Sequence, residues 1–340
     1  MKKLLKKNET YIFLVLLILC FLVELRSGQF FKTYNIYDLL VSFAVSALFA
    51  LAEYVVIVSG GIDVSFPIIA STCMNVVASS LADYEGGIWL AIIMAACIGT
   101  VMGAINGLII AKFKFPPLIV TLGTQSLYTG FLMTALHARE ISGSALPACI
   151  NRFGTVYWLT TENPTSGAIS YVPASISIML VMIVATWLLM KYTTLGRSVY
   201  AVGNDETAAL RAGFHVERVR VFVYAYAGFI AGIAGIVRLC IAKFCHPTAL
   251  TGVEMEVIAA VVLGGVSVVG GKGSVLGALL GMAVITVMKN SLLLLGIPTI
   301  WQTFCTGALI LAGVAISAYQ VTRSNKKLAT RKVSPEGKTE

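Results

Sequence analysis

The stretch that decides the fold is residues 191–220, "KYTTLGRSVYAVGNDETAALRAGFHVERVR". It is the longest plainly polar interval in an otherwise apolar chain, and an apolar run of membrane length stands on either side of it. Asn204 or Asp205 is placed to open a short helix as its N-cap, with acids at the positive helix end. Thr207, Ala208 and Ala209 carry that helix to about Arg211, and Gly213 is a natural residue just past its end. "VERVR" then starts the next helix, while Gly196 and Gly203 read as tight turns. A solvated connector whose charges, Arg197 among them, only set topology would use the same residue types, so both readings stand on the residues alone.

Working outward, composition fixes the class. Hydrophobic residues make up 58% and charged residues 12% of 340, whereas soluble domains are about half apolar and roughly a quarter charged. At ~20 residues per passage, the chain reads as an all-α polytopic membrane protein of about ten transmembrane helices. The first seven cover 11–25, 38–58, 66–81, 88–111, 118–136, 173–190 and 221–241. The eighth runs from 254 into "LGGVSVVGGKGS", and the last two cover 275–288 and 301–319. This gives a cytoplasmic N-terminal tail (1–10), a membrane domain (11–320) holding the 191–220 loop, and a disordered cytoplasmic tail (321–340). The basic opening resembles a signal peptide, but no small-residue cleavage site closes it. We therefore read an uncleaved first span. The net charge of +9 sits in loops and tails rather than in one stripe, which argues against nucleic acid. Anionic lipid and the positive-inside rule account for it, and place both termini and the polar loop inside. Gly228, Gly232 and Gly235 have the small-residue spacing that lets membrane helices approach closely. "SGGID…FPPLIVTLGT" is echoed by "LGGVS…IPTIWQTFCTG", the kind of signal two internal repeats leave; chance likeness of Gly-rich apolar sequence explains it equally.

Catalytic chemistry finds little footing. No C-x-x-C pair or Cys/His group has metal spacing, so no metal is expected; His137, His215 and His246 are isolated. Cys149 and Cys245 fall in outer segments, where a bridge is conceivable. "GGVSVVGGKGS" fails the phosphate-loop pattern twice, at Val266 and at Gly273, so no nucleotide is expected on this segment. Asp63 is an acid at membrane depth, costly and usually functional, although it serves equally as a cap of the following helix. Glu53 is ambiguous in the same way, and Lys289 reads as snorkelling. Asp63, Asn75, Asn106, Thr121, Thr124, Gln125 and Gln302 offer a polar translocation path; helix–helix hydrogen bonding is the competing use.

A resemblance sharpens this. "TLGRSVYAVGNDETAALRAGFHVERVRVFVYAYAGFIAGIAGIV" is similar to the signature loop of permease subunits of ATP-binding-cassette (ABC) importers for simple sugars, the ribose/xylose/arabinose type. "TAALRAG" resembles the wider permease EAA---G loop, with Thr207 where Glu is usual. "SGGIDVSFP", "FPPLIVTLGT" and "IPTIWQTFCTGALILAGV" agree with other family segments, though Phe66-Pro67 and "CHPTALTG" depart from them. The resemblance covers about residues 50–318. It implies a bacterial inner-membrane permease that is not itself an enzyme and moves a simple sugar or related small polar solute inward. It also implies a second permease copy or paralogue, a cytoplasmic ATP-binding subunit and an extracytoplasmic solute-binding protein. Gly196, Arg197, Gly203, Asn204, Thr207, Ala208, Ala209, Arg211 and Gly213 would then form the ATPase-coupling loop. The rivals are a lone proton- or sodium-coupled symporter, which would need Glu53 and Asp63 as ion ligands, and a non-transporting scaffold.

Overall fold

The computed structural model describes residues 8–164, 167–298, 300–308 and 311. In chain order the helices are α1 (Asn8–Ser27), α2 (Thr33–Val58), α3 (Phe66–Ser80), α4 (Ile88–Phe113), α5 (Pro117–Thr134) and α6 (Ala148–Gly154). They continue with α7 (Ile176–Tyr192), α8 (Thr194–Asn204), α9 (Glu206–Arg211), α10 (Val216–Ala242), α11 (Glu254–Leu263) and α12 (Val275–Leu294); residues 300–308 are helical again.

Among the described residues, α1, α2, α4, α10 and α12 are long and apolar enough to cross a membrane. A sixth such element arises only if α7 and α8 are joined across a 71° bend. The architecture is that of a helical, polytopic membrane protein. The other expected passages are helices too, but two are short. α3 has 15 residues and α11 has 10, fewer than the ~20 that cross a hydrocarbon core. Glycine is the cause in both places. The "SGGIDVSFP" break follows α2 with Gly60 at φ 86°, and the "LGGVSVVGGKGS" break follows α11 with Gly265 at φ 87°. L-residues avoid that left-handed region. Most of the expected tenth passage and the whole 321–340 tail lie outside the described residues.

Short strands lie between α5 and α7 and just past α10. β1 (Ile141–Ser142) pairs antiparallel with β4 (Phe244–Cys245), and β2 (Tyr157–Glu162) pairs with β3 (Ile169–Pro173). Cys149 and Cys245 are both buried and free, so no bridge joins them.

α2 forms the centre, with every residue from Ala47 to Val58 buried. Its most intimate neighbour, α10, packs still more closely on α4. A Cβ at Gly228 would strike the Gly99 carbonyl and come within 3.0 Å of Gly103 Cα, and one at Gly232 would strike the Ala95 carbonyl. Gly99, Gly103 and Gly107 recur every four residues on α4, so they share one face and meet the glycine face of α10. Lipid is as apolar as leucine, so this pair is held by van der Waals contact and close backbone approach rather than by expulsion of water. At the periphery, α1 leaves Leu14, Leu17, Phe21 and Leu25 largely exposed, a surface suited to lipid.

The molecule has two distinct ends. Glu9 at the start of α1 accepts a hydrogen bond from Ser274 Oγ at the start of α12. The adjacent Gly273 carbonyl accepts one from Tyr200 of α8 at 2.9 Å. The N-terminal end of α1, the α8–α9 loop and the start of α12 therefore share one end. The β1–β4 and β2–β3 pairs lie at the other, where Lys243 just past α10 donates to Tyr157 Oη at 3.3 Å.

Candidate coupling site and polar clusters

The 191–220 loop folds into two short helices. Thr193 caps α8, its Oγ accepting from Gly196 N–H at 3.1 Å, and α8 leaves α7 at a bend of 71°. Gly196 and Gly203 do not make turns, as the sequence suggested; both are helical. Each is glycine because another backbone passes too close for a Cβ. At Gly196 the obstacles are the Leu189 and Met190 carbonyls. At Gly203 they are the Val58 carbonyl, with Gly271 N at 2.8 Å and the Ser59 carbonyl carbon at 3.0 Å.

Three glycine-bearing segments meet at that point. The Val58 carbonyl accepts from Gly271 N–H at 2.9 Å; Gly60 and Gly270, both at positive φ, lie against Gly203. The tyrosines add two side-chain links, since Tyr54 Oη and Tyr200 Oη are 2.6 Å apart and Tyr200 also reaches Gly273 O. α8 is thereby pinned to the end of α2 and to the loop that leads into α12.

α9 forms as its residues predict. The Asp205 carboxylate accepts from Thr207 N–H at 2.9 Å, Ala208 N–H at 3.0 Å and Thr207 Oγ at 2.7 Å. Those bonds, the Thr207 hydroxyl foremost and then the backbone N–H of Ala208, hold its carboxyl below the usual carboxylate range. Gly213 at φ 86° ends the helix. Glu206 Oε2 pairs with Arg220 Nη2 at 2.6 Å, fastening α9 to α10. Of the predicted loop residues, Gly196 and Ala209 are buried and Gly203 is half-buried, so they support the site from beneath. Arg197, Asn204, Thr207, Ala208, Arg211 and Gly213 are exposed. With Leu195 and Leu210, also exposed, they form an exposed ridge at one end of the molecule.

The residues proposed for a path separate into several groups. Asp63, Asn106 and Thr121 come together around the break between α2 and α3. Asp63 Oδ1 accepts from Ser65 N–H at 2.7 Å and Ser65 Oγ at 2.6 Å, and Asn106 donates to Ser65 Oγ at 2.8 Å. Thr121 accepts from Val64 N–H at 3.3 Å. Glu53 accepts from Asp63 N–H at 3.3 Å. Asp63 and Glu53 thus grip backbone of the break itself, and both are buried. Thr124 bonds to the Thr121 carbonyl, while Gln125 reaches Glu254 at 2.9 Å and ties α5 to α11. Asn75 lies apart and donates to the Ser71 carbonyl.

Gln302 belongs to a different group, donating to the Lys289 carbonyl. Lys289 was expected to snorkel; instead its ammonium pairs with Glu256. The partner stands 33 residues earlier on another helix, so local sequence held no sign of it. The α4 glycine face was legible by the same spacing rule that exposed the α10 face, and was missed.

The ribose import permease protein RbsC of Haemophilus influenzae is 33% identical over 312 residues, covering 92% of this chain and 93% of that one. RbsC of Bacillus subtilis is 35% identical over 304 residues, with 89% and 91% covered. The fructose import permease protein FrcC of Rhizobium meliloti is 32% identical over 313 residues, with 91% and 84% covered. No solved structure gives a significant match. A family model described as branched-chain amino acid transport system / permease component matches residues 35–314, and the chain belongs to that family of transport permeases.

Proposed function

We propose that this chain is the membrane-spanning subunit of an ABC importer that admits a monosaccharide or a similarly hydroxylated small solute. The observation that carries the reading is likeness over about nine-tenths of the chain to ribose and fructose import permeases. The chain hydrolyses nothing. ATP/Mg is bound and cleaved by a separate cytoplasmic ATP-binding subunit, a second copy or paralogue completes the pore, and an extracytoplasmic solute-binding protein delivers the cargo.

In this reading the α8–α9 end faces the cytoplasm of a bacterium, together with both termini. About ten passages fill the inner membrane, with α3, α5 and α11 taking part beside the longer helices. The exposed ridge of Arg197, Asn204, Thr207, Ala208 and Arg211 receives the ATPase. Its motion passes through the Gly203 junction to α2 and α12, a rigid-body displacement of packed elements.

Reconstitution with the ATP-binding subunit and the solute-binding protein tests this. D-ribose or D-fructose uptake should require ATP and both partners. Uptake that persists without the ATPase under a proton or sodium gradient would refute the reading in favour of a symporter.

A further inference from the structure

One cavity in the membrane domain is built almost wholly from polar side chains. Its volume is about 250 Å³, and seven of its eight lining residues are polar or charged. Ser42 and Ser46 are contributed by α2, Thr286, Lys289 and Asn290 by α12, and Glu256 by α11. Ser42 and Ser46 are four residues apart; Thr286, Lys289 and Asn290 stand at helical i, i+3 and i+4. Each set therefore shares one helix face. Two apolar, membrane-length helices thus turn these polar residues towards one another. Gln302 completes the lining.

We propose that this cavity is a binding subsite for a neutral, polyhydroxylated solute on its way through the membrane domain. The proposal rests on the import reading above and adds to it a place and a ligand chemistry. Ionisable side chains are expensive inside a membrane and mark solute pathways by default. The charges here cancel, since Lys289 is paired with Glu256. A cavity with no net charge favours a ligand without net charge over a sugar phosphate. Its groups alternate in role. The ammonium and the Asn290 and Gln302 amides donate, the carboxylate accepts, and the serine and threonine hydroxyls do both. A vicinal diol needs that mixture, because each hydroxyl both gives and receives a hydrogen bond. The size is also apt, lying just below the roughly 300–1,000 Å³ of sites for drug-sized ligands.

Position supports the same conclusion. Glu256 lies in the first turn of α11, shortly after β4, and Lys289 and Asn290 lie in the last turns of α12. This is the half of the molecule away from the α8–α9 ridge. Solute delivered from outside would meet the cavity before reaching the end where force is applied.

The test uses the complete transporter, with its ATPase and solute-binding protein, in proteoliposomes. Thr286→Val and Asn290→Leu together keep side-chain shape and remove hydrogen-bonding groups. They should lower D-ribose or D-fructose uptake at least tenfold while ATP hydrolysis stimulated by the loaded binding protein persists. Leu276→Val, at the opposite end of α12, should leave uptake unchanged. In parallel, Asn290→Cys provides a thiol in the cavity, and D-ribose or D-fructose should slow its alkylation by a small maleimide, whereas L-leucine should not. If the wild type imports sugar but the double variant does so equally well, the cavity is off the path and the proposal falls while the import reading stands. Equal protection by L-leucine, or protection by no sugar, overturns it likewise. A wild type that imports no sugar removes the import reading and this subsite with it.

Discussion

Gly203→Ala is the most direct probe of how α8 is joined to the membrane domain. The added Cβ would meet the Val58 carbonyl, with Gly271 N at 2.8 Å and the Ser59 carbonyl carbon at 3.0 Å. All three are backbone, so no flexible side-chain end can swing aside. Overpacking of this kind costs roughly 1–3 kcal/mol. The displaced segment also carries the Gly271 N–H to Val58 carbonyl bond of 2.9 Å, a net contribution of about 1 kcal/mol. The sum, about 2–4 kcal/mol, corresponds to a shift of roughly 30- to 700-fold between docked and undocked α8, at tenfold per 1.4 kcal/mol. The variant should reach the membrane and still bind the ATPase, because the exposed ridge is untouched. The number of solute molecules imported per ATP hydrolysed should fall at least tenfold. Gly123→Ala is the matched control, since a Cβ there meets nothing within 4 Å. If Gly203→Ala transports and melts like Gly123→Ala, the junction carries no force and the reasoning fails.

The other expectations are smaller or more local. Asp205→Ala removes the acceptor of the Thr207 and Ala208 N–H groups; hydrogen exchange at those two amides should quicken while α10 stays protected. The carboxyl of Asp205 titrates below the usual range, so the cap is fully present above the unfolded-state value of about 3.9. It is lost only as pH falls through the lower folded value, and amide protection in α9 should be flat from pH 5 upward; a loss centred near pH 6 would contradict this. Gly228→Leu sets a side chain against the Gly99 carbonyl and Gly103 Cα; it should unfold the α4–α10 pair, detected as loss of folded protein in the membrane, and normal yield would count against the packing argument. Tyr200→Phe removes the bonds to Tyr54 and Gly273, about 1–2 kcal/mol at ~1 kcal/mol net per bond. It should lower the melting temperature without abolishing import.

What could be read from the chain follows from how local each cause is. α9 was legible because its start and stop are set by Asp205 and Gly213 within one turn of the residues they affect. The glycine face of α10 was legible because helical spacing alone brings Gly228 and Gly232 together, and Gly99, Gly103 and Gly107 obey the same rule. α8 was not legible. Glycine in a polar stretch ordinarily signals a turn, and only the approach of α2 and residues 270–271 explains why Gly203 is helical. The hairpin of β2 and β3 carried its own signal, a β-rich "VYWLTTE" and "ISYVP" around a Pro- and Gly-bearing connection, masked by the surrounding apolar helices. The pairing of Lys289 with Glu256 depends on how α11 packs on α12, which neither segment encodes alone.

If the α8–α9 ridge receives the ATPase, as proposed above, the junction also decides which contacts matter for transmitting force. The pair of Glu206 and Arg220 is partly exposed, and such pairs contribute only about 0.2–1 kcal/mol. A lever held mainly by that bridge would slip before it moved a membrane helix. The stiff connection is the one where backbones touch. Gly203, Gly60 and Gly270 lie against one another, and the Val58 carbonyl takes Gly271 N–H directly. Val58 ends α2, and residues 271–274 lead into α12, so a displacement of α8 reaches both helices at once. They are the same two helices that bring Ser42, Ser46, Thr286, Lys289 and Asn290 to the polar cavity. Breaking the Glu206–Arg220 bridge should therefore change coupling far less than adding one methyl group at Gly203. The opposite order would mean that force enters through α10 and bypasses the glycine junction.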